Sequence, residues 1–317
     1  MRAALIVVLL LVLDAAALAA PNITVVMTDD MRHDDVKYVP SIATIAARGV
    51  TFAGALAPFP LCTPARVSFL TGKHAETHGV LENRIALADL SDTIATRVKQ
   101  QGWRTGYVGK LANKMRELDS APPGWDYYAA LVRHSDYGSE QAHVLAQQGA
   151  TFLDGCRRDD VPCLLVVAPA LPHGGPGGPD ECRGPFPPTP VAEHRARWRY
   201  RMRALCGVDH LVRTIDAALP PDGTLIVTSD HGYIVDAGKL GKNEQHLDAH
   251  RIPLIVARPG TVAGSTRGEI VTLVDLATTI ALWAGASTAG YEGRSIEPLL
   301  LGSNERWINP VTLWSVP

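Results

Sequence analysis

Asn22-Ile23-Thr24-Val25-Val26-Met27-Thr28, followed at once by Asp29-Asp30, is an apolar run rich in β-branched side chains that stops at two adjacent carboxylates. It shows no polar alternation, which is the pattern of a strand covered on both faces rather than one face-up in solvent. Runs of the same kind recur at 105–109, 163–168, 224–229 and 253–257. Helix-like stretches at 40–48, 91–101, 137–153 and 193–219 separate them. Buried strands alternating with amphipathic helices predict an α/β protein with a mainly parallel, mixed central sheet sandwiched between helices. Ligands of such folds bind beyond the carboxyl ends of the strands. There the chain places pointed chemistry: Asp29-Asp30 after the first run, Lys110 after the second, Pro172-His173 after the third and Asp230-His231 after the fourth. One acid after a strand is most simply a solvated loop charge. Four strand ends carrying acids, imidazoles and an amine predict a site.

The whole chain is consistent with one large domain. It has 317 residues, 46% of them hydrophobic and 20% charged, an ordinary globular composition with no repeat or heptad. With 30 Lys+Arg against 32 Asp+Glu the net charge is −2, so nothing draws the protein globally toward nucleic acid. Between residues 172 and 190 more than half the positions are Gly or Pro, which excludes helix or central strand there. That segment reads either as a surface excursion pinned by Cys182 or as a wall of the substrate site opened by His173.

Residues 1–19 read as a signal peptide. Met1-Arg2 precedes an unbroken apolar run from Ala3 to Leu13, and Ala17-Leu18-Ala19 is a small-x-small cleavage site. Asp14 interrupts the run well short of the about 20 apolar residues of a membrane span, and no Cys follows for a lipid anchor. The expectation is a secreted or periplasmic protein without a stable membrane anchor, its catalytic domain occupying 20–317. In such a compartment thiols pair. Cys156, Cys163, Cys182 and Cys206 allow two bridges of open connectivity, and Cys62 is left over. Asn22-Ile23-Thr24 is a glycosylation sequon at an expected strand start.

Cys62 opens the motif Cys62-Thr63-Pro64-Ala65-Arg66, ahead of a helix-like 67–70 and Leu70-Thr71-Gly72. At a helix start, Cys62 and Arg66 fall on one face, where backbone donors and the dipole favour an anion. This Cys-x-Pro-x-Arg segment, downstream of a strand ending in Asp-Asp, resembles the sulfatase family of the alkaline phosphatase superfamily. The similarity continues through Gly109-Lys110, Pro172-His173, Ser229-Asp230-His231-Gly232, Lys242 and Gly293-Arg294-Ser295, collinear from about Pro21 to Gly302. The Cys motif is highly specific; the others are individually weaker. Lys242 gains support from its spacing ahead of Arg251-Ile252-Pro253-Leu254, which resembles the family's basic-apolar-Pro segment.

The resemblance implies that a formylglycine-generating enzyme oxidises Cys62 to an aldehyde held as its hydrate. One hydroxyl of that hydrate attacks sulfur, and the second allows sulfate to be expelled. It also implies that Asp29, Asp30, Asp230, His231 and the modified Cys62 hold a divalent cation. Carboxylate oxygens favour a hard ion, Ca²⁺ first and Mg²⁺ second, while an imidazole at His231, where many relatives carry Asn, admits a softer one. Arg66 is expected to hold the hydrate and Lys110 to bridge it to sulfate. Lys242 and His173 are expected to bind sulfate and protonate the leaving group. His78, in Thr77-His78-Gly79-Val80, is expected to be structural support.

The departures narrow the branch. Many sulfatases carry His two residues after the lysine, where this chain has Ala112. Gly109-Lys110-Leu111-Ala112-Asn113 and Gly124-Trp125-Asp126 instead resemble the N-acetylglucosamine-6-sulfatase and heparan endosulfatase branch, which implies a sulfated saccharide substrate such as 6-O-sulfated glucosamine. His231-Gly232-Tyr233 fits that branch, but Ile234 replaces its usual histidine. Relatives continue into a smaller antiparallel C-terminal subdomain, expected here to be missing or truncated. Two other readings stand beside the sulfatase: a formylglycine-dependent phosphodiester or phosphonate monoester hydrolase, and a non-catalytic relative that binds sulfated glycans. His74, His134, His143, His194, His210, His246 and His250 fall in no motif.

Overall fold

The computed structural model describes residues 22–118, 120–173, 182, 187–188, 195–236, 239–309 and 311–313. The expected signal peptide at 1–19 and most of the Gly/Pro-rich 172–190 lie outside them. The strands are β1 (Ile23–Thr28), β2 (Val50–Leu56), β3 (Arg104–Gly109), β4 (Tyr127–Ala130), β5 (Cys163–Ala168), β6 (Thr224–Ser229), β7 (Ile234–Asp236), β8 (Lys239–Gly241), β9 (Leu254–Ala257) and β10 (Ser265–Thr272). The helices are α1 (Pro40–Ala47), α2 (Cys62–Thr71), α3 (Ala75–His78), α4 (Ile94–Lys99), α5 (Gln141–Asp159), α6 (Arg195–Ala218), α7 (Leu247–His250), α8 (Leu273–Trp283) and α9 (Glu297–Leu300).

Eight strands form one sheet in the order β10-β2-β9-β6-β1-β5-β3-β4, and β7 pairs with β8 in a small hairpin. Within the large sheet β9 alone runs against its neighbours, so the sheet is mixed but mainly parallel. β1 lies at its centre between β5 and β6, in the registers Val25↔Val166 and Val25↔Ile226. All six residues of β1, β5 and β6 are buried. Period-two alternation splits each strand between two apolar layers. Ile23, Val25, Met27, Leu164 and Val166 face the layer built with α2, α4 and α8. Val26, Leu165 and Val167 face the layer built with α1, α5 and α6. Among the described residues no helix is long and apolar enough to cross a membrane.

The five expected strands are present. β2, β4 and β10 were not read from the sequence. β4 has only four residues, and β10 is an edge strand whose Thr266, Gly268 and Ile270 are exposed, so both lack the uniform apolar signal. The helix expected at 137–153 is α5, shifted to Gln141–Asp159, because Gly138–Glu140 forms a short 3₁₀ turn ahead of it. The helix expected at 91–101 shrinks to α4, whose start is fixed by a capping box between Thr93 and Thr96. Cys156 pairs with Cys163 and Cys182 with Cys206, resolving the connectivity that spacing left open, and Cys62 is free and buried. Asn22 of the sequon is buried in the folded chain, and its Oδ1 accepts from the Cys163 N–H at 2.9 Å.

Candidate active site

The carboxyl ends of β1, β3, β5 and β6 meet the N-terminus of α2, and all nine residues singled out in the sequence lie there. β1 delivers Asp29 and Asp30, both buried. Asp30 sits at φ +68°, the left-handed region that a non-glycine residue occupies only when its surroundings hold it there. What holds it is a bond from its N–H to Asp230 Oδ1 at 3.2 Å. β3 ends in Gly109 at φ +107°, where a Cβ would fall 2.1 Å from the Ala168 carbonyl oxygen. Only glycine fits, and that tight exit aims Lys110 back over the sheet, its ammonium on Asp29 Oδ2 at 2.5 Å.

Cys62 is the first residue of α2 and wholly buried. Its sulfur lies 3.5 Å from Asp29 Oδ1, 3.3 Å from His231 Nε2 and 3.2 Å from Lys242 Nζ, which donates to it. Lys242 follows the β7–β8 hairpin and also donates to Asp30 Oδ1 at 2.7 Å. One turn along α2, Arg66 is fully buried and donates from Nε to Asp230 Oδ2 at 2.8 Å, and from its other nitrogens to the carbonyls of Lys110 and Thr28. Arg66 therefore orders Asp230 and the Lys110 turn. Its bonds go to these groups rather than to the Cys62 sulfur. His173 lies with Nε2 3.8 Å from Asp30 Oδ2.

The donors fit a cation. Ligand atoms of Asp29, Cys62, Asp230 and His231 all lie within 4.8 Å of one another, each residue buried, with Asp30 Oδ1 3.3 Å from His231 Nε2. His231 Nδ1 is engaged with the Gly232 carbonyl at 2.8 Å, which leaves Nε2 as the ring's coordinating end, the arrangement metal-bound histidines use. Burial alone would raise the Asp29 carboxyl, but Lys110, then His173 and Arg66, hold it well below the usual carboxylate range. Asp30 is burdened by burial in the same way and held down by Lys242 and His231. Burial would lower the His231 imidazole, yet the Asp230 carboxylate and its neighbours push it up to about 9. These directions describe a pocket whose carboxylates are ionised and seek positive charge.

Three contributors escaped the sequence reading. Tyr107 donates to the Lys110 carbonyl at 2.7 Å, and burial pushes its hydroxyl up to about 12. Gln141, at the start of α5, donates to the His134 carbonyl at 2.9 Å and accepts from the Ala170 N–H at 2.8 Å. His134 stacks on His173 with ring centroids 4.7 Å apart and planes 19° from parallel. Burial, then the nearby Lys110 ammonium, pulls its imidazole down to about 4. None of the three belongs to a motif; Tyr107 lies within the strand that ends ahead of Lys110. Asn113 reaches Thr63 rather than the cysteine: its N–H donates to Thr63 Oγ1 at 3.0 Å and so fixes the start of α2. His78 is the expected support, with Nε2 2.9 Å from Ser68 Oγ on α2.

A cysteine at a helix N-terminus, ringed by buried acids, an imidazole and two lysines at the carboxyl edge of an α/β sheet, defines a class of anion-handling site with a place for a metal. The family model for sulfatases matches residues 21–286, and the chain belongs to the sulfatase family. An extracellular sulfatase SULF-1 homolog of Drosophila melanogaster is 28% identical over 90% of this chain and 32% of its own length. The N-acetylglucosamine-6-sulfatase of Homo sapiens is 26% identical over 94% of this chain and 67% of its own. The chain thus spans between about a third and two thirds of these relatives. In the solved structures, the PsFucS1 sulfatase of Pseudoalteromonas sp. superposes with a TM-score of 0.75 at 18% identity, over 90% of this chain and 72% of that one, and shares the fold.

Proposed function

We propose that this protein is an exported sulfuric ester hydrolase that releases inorganic sulfate from a sulfated saccharide, with 6-O-sulfated glucosamine as the substrate class. Residues 1–19 are its leader and 20–317 its catalytic domain. The observation that carries the reading is the surroundings of Cys62: a buried thiol at a helix N-terminus, within 3.5 Å of Asp29, His231 and Lys242. A structural cysteine has no need of three charged neighbours. Converted to formylglycine by a generating enzyme, this residue would supply the hydroxyl nucleophile, and a divalent cation, Ca²⁺ before Mg²⁺, would polarise it and the sulfate oxygens.

The chain's own residues do the rest. Asp29, Asp30, Asp230 and His231, with the modified Cys62, hold the cation. Arg66 fixes Asp230 and the Lys110 turn. Lys110 and Lys242, now on Asp29 and Asp30, are the cations that turn to the sulfate, where charge builds on the leaving oxygen. His173, at the rim beside Asp30, donates the proton to that oxygen.

The test is co-expression with a formylglycine-generating enzyme, followed by the mass of the peptide holding residue 62 and by assay. The expected peptide is about 18 Da lighter than the thiol form, or carries its hydrate, as thiol-to-aldehyde conversion of the nucleophile requires. The protein releases sulfate from 6-O-sulfated glucosamine or an aryl sulfate faster than it cleaves an aryl phosphodiester, and Cys62→Ala is inactive. A phosphodiester rate exceeding the sulfate rate would move the protein to the phosphodiester and phosphonate reading. Sulfated-sugar binding without turnover would leave a glycan-binding relative.

A further inference from the structure

We infer that His134 is a further catalytic residue, its Nε2 hydrogen-bonding an oxygen of the sulfate group in the site proposed above. The inference rests on that reading of the site. The route by which many sulfatases bring a second imidazole is closed here. Ala112, two residues past Lys110, is buried in the apolar layer with Val98, Trp103 and Leu111, and its methyl group carries no donor or acceptor. The imidazole arrives instead from the segment after β4. Its ring lies flat against His173, and the two Nε2 atoms address the paired acids, His134 at 3.8 Å from Asp29 Oδ2 and His173 at 3.8 Å from Asp30 Oδ2.

At 3.8 Å the contact with Asp29 is too long for a hydrogen bond. His134 Nε2 is itself buried and has no hydrogen-bond partner, although the side chain as a whole is 32% exposed. A buried polar nitrogen left unpaired is costly. Other buried side-chain atoms share that state, and His134 Nε2 is set apart by its place beside Asp29 and the His173 ring.

The position is built. Gln141, fully buried, ties the His134 carbonyl and the Asp136 carbonyl to the Ala170 N–H, so one amide locks the segment of His134 to that of His173. Asp136 Oδ2 accepts from the Val132 and Arg133 N–H groups at 2.8 and 2.9 Å. The Leu131 N–H bonds the Gly109 carbonyl at 2.8 Å, next to Lys110. The orphaned nitrogen is thus held beside the lysine and the histidine assigned to sulfate. It serves as a donor to sulfate oxygen in the tautomer that carries the ring proton on Nε2.

Two variants separate this from stacking. His134→Phe keeps a ring against His173 and loses the nitrogen. His134→Gln places an amide N–H near the Nε2 position and loses the ring. Each is measured for kcat/KM on the sulfated substrate and, by calorimetry, for affinity toward inorganic sulfate, with thermal melts as the folding control. The expected result is a loss of about 100-fold in kcat/KM for the Phe variant, the scale of one donor to developing charge. Its sulfate affinity falls about tenfold, and the Gln variant recovers most of both. Phe activity within threefold of wild type, or a Gln variant no better than Phe, overturns the inference. A wild type that binds sulfate without turnover fails the hydrolase reading alone, and the affinity comparison still decides for or against His134. A wild type that does neither overturns both.

Discussion

Arg66 shows how much of the site is held by a single side chain. It is wholly buried, its Nε is on Asp230 at 2.8 Å, and its remaining nitrogens close onto the Lys110 and Thr28 carbonyls. Its guanidinium is pushed above its ordinary pKa against the cost of burial by Asp230 and Asp29. Removing one partner of such a pair strands the other in a low-dielectric interior, at about 3–5 kcal/mol. Arg66→Met is therefore expected to lower the unfolding free energy, read from denaturant melts, by about that amount. Arg66→Met combined with Asp230→Asn should cost less than the sum of the single changes, because no charge is then stranded. Additive losses in that double-mutant cycle would show that the two side chains do not depend on each other. At this scale the acids and Lys110 were legible because each follows an unmistakable strand. His134 and Gln141 were not, because their roles rest on His173 and Ala170, in segments distant in the chain. Tyr107 was not, because its bond to the Lys110 carbonyl depends on the Gly109 turn, which no motif records.

Helix α2 carries both Cys62 and Arg66, and its seat depends on α3. Ser68 on α2 meets His78 Nε2 at 2.9 Å, while the Val80 N–H donates to His78 Nδ1 at 3.1 Å. Nδ1 as acceptor and Nε2 as donor describe a neutral ring, and burial pulls its pKa from the ordinary 6.5 down to about 4. Between those two values the unfolded chain takes up a proton that the folded chain refuses. The His78 contribution to stability is thus complete above about pH 6.5 and declines as the pH falls toward 4. Urea midpoints at pH 7.5 and pH 5 should differ more for wild type than for His78→Gln, which has no ring to protonate. Equal pH dependence in the two proteins would mean that His78 titrates as it does in the unfolded chain. The same contrast between local and distant causes governs the elements. The five apolar strands announce themselves, since burial on both faces leaves nothing to alternate. β9 reads like the parallel strands yet runs against them, because direction is set by the path of the connecting chain rather than by the strand's own residues. β10 and β4 close the two edges of the sheet, where half-exposed or short segments resemble loops.

For the whole molecule, the question is why three carboxyl groups tolerate being buried at one point of the sheet. Asp29 is met by Lys110, Asp30 by Lys242 and Asp230 by Arg66, one fixed cation for each acid. On the function proposed above, this pairing would let the domain fold without a metal, and with a cation held by the acids Lys110 and Lys242 would be free to turn to the sulfate. Chelation should therefore separate function from folding. With EDTA, sulfate release is expected to fall by about 100-fold or more, the several kcal/mol a Lewis acid contributes to charge stabilisation. Far-UV circular dichroism should stay unchanged. Adding Ca²⁺ or Mg²⁺ to the chelated protein should restore the rate and raise the melting temperature in a concentration-dependent way, since a ligand bound only by the folded state stabilises it by mass action. The ion that raises the melting temperature at the lower concentration is the one the oxygen-rich set prefers. A softer ion such as Zn²⁺ winning that comparison would assign the preference to His231. If the chelated protein unfolds, the three ion pairs are not enough to hold the acids. If its rate is unchanged, the acids serve the fold and the lysines alone handle the anion.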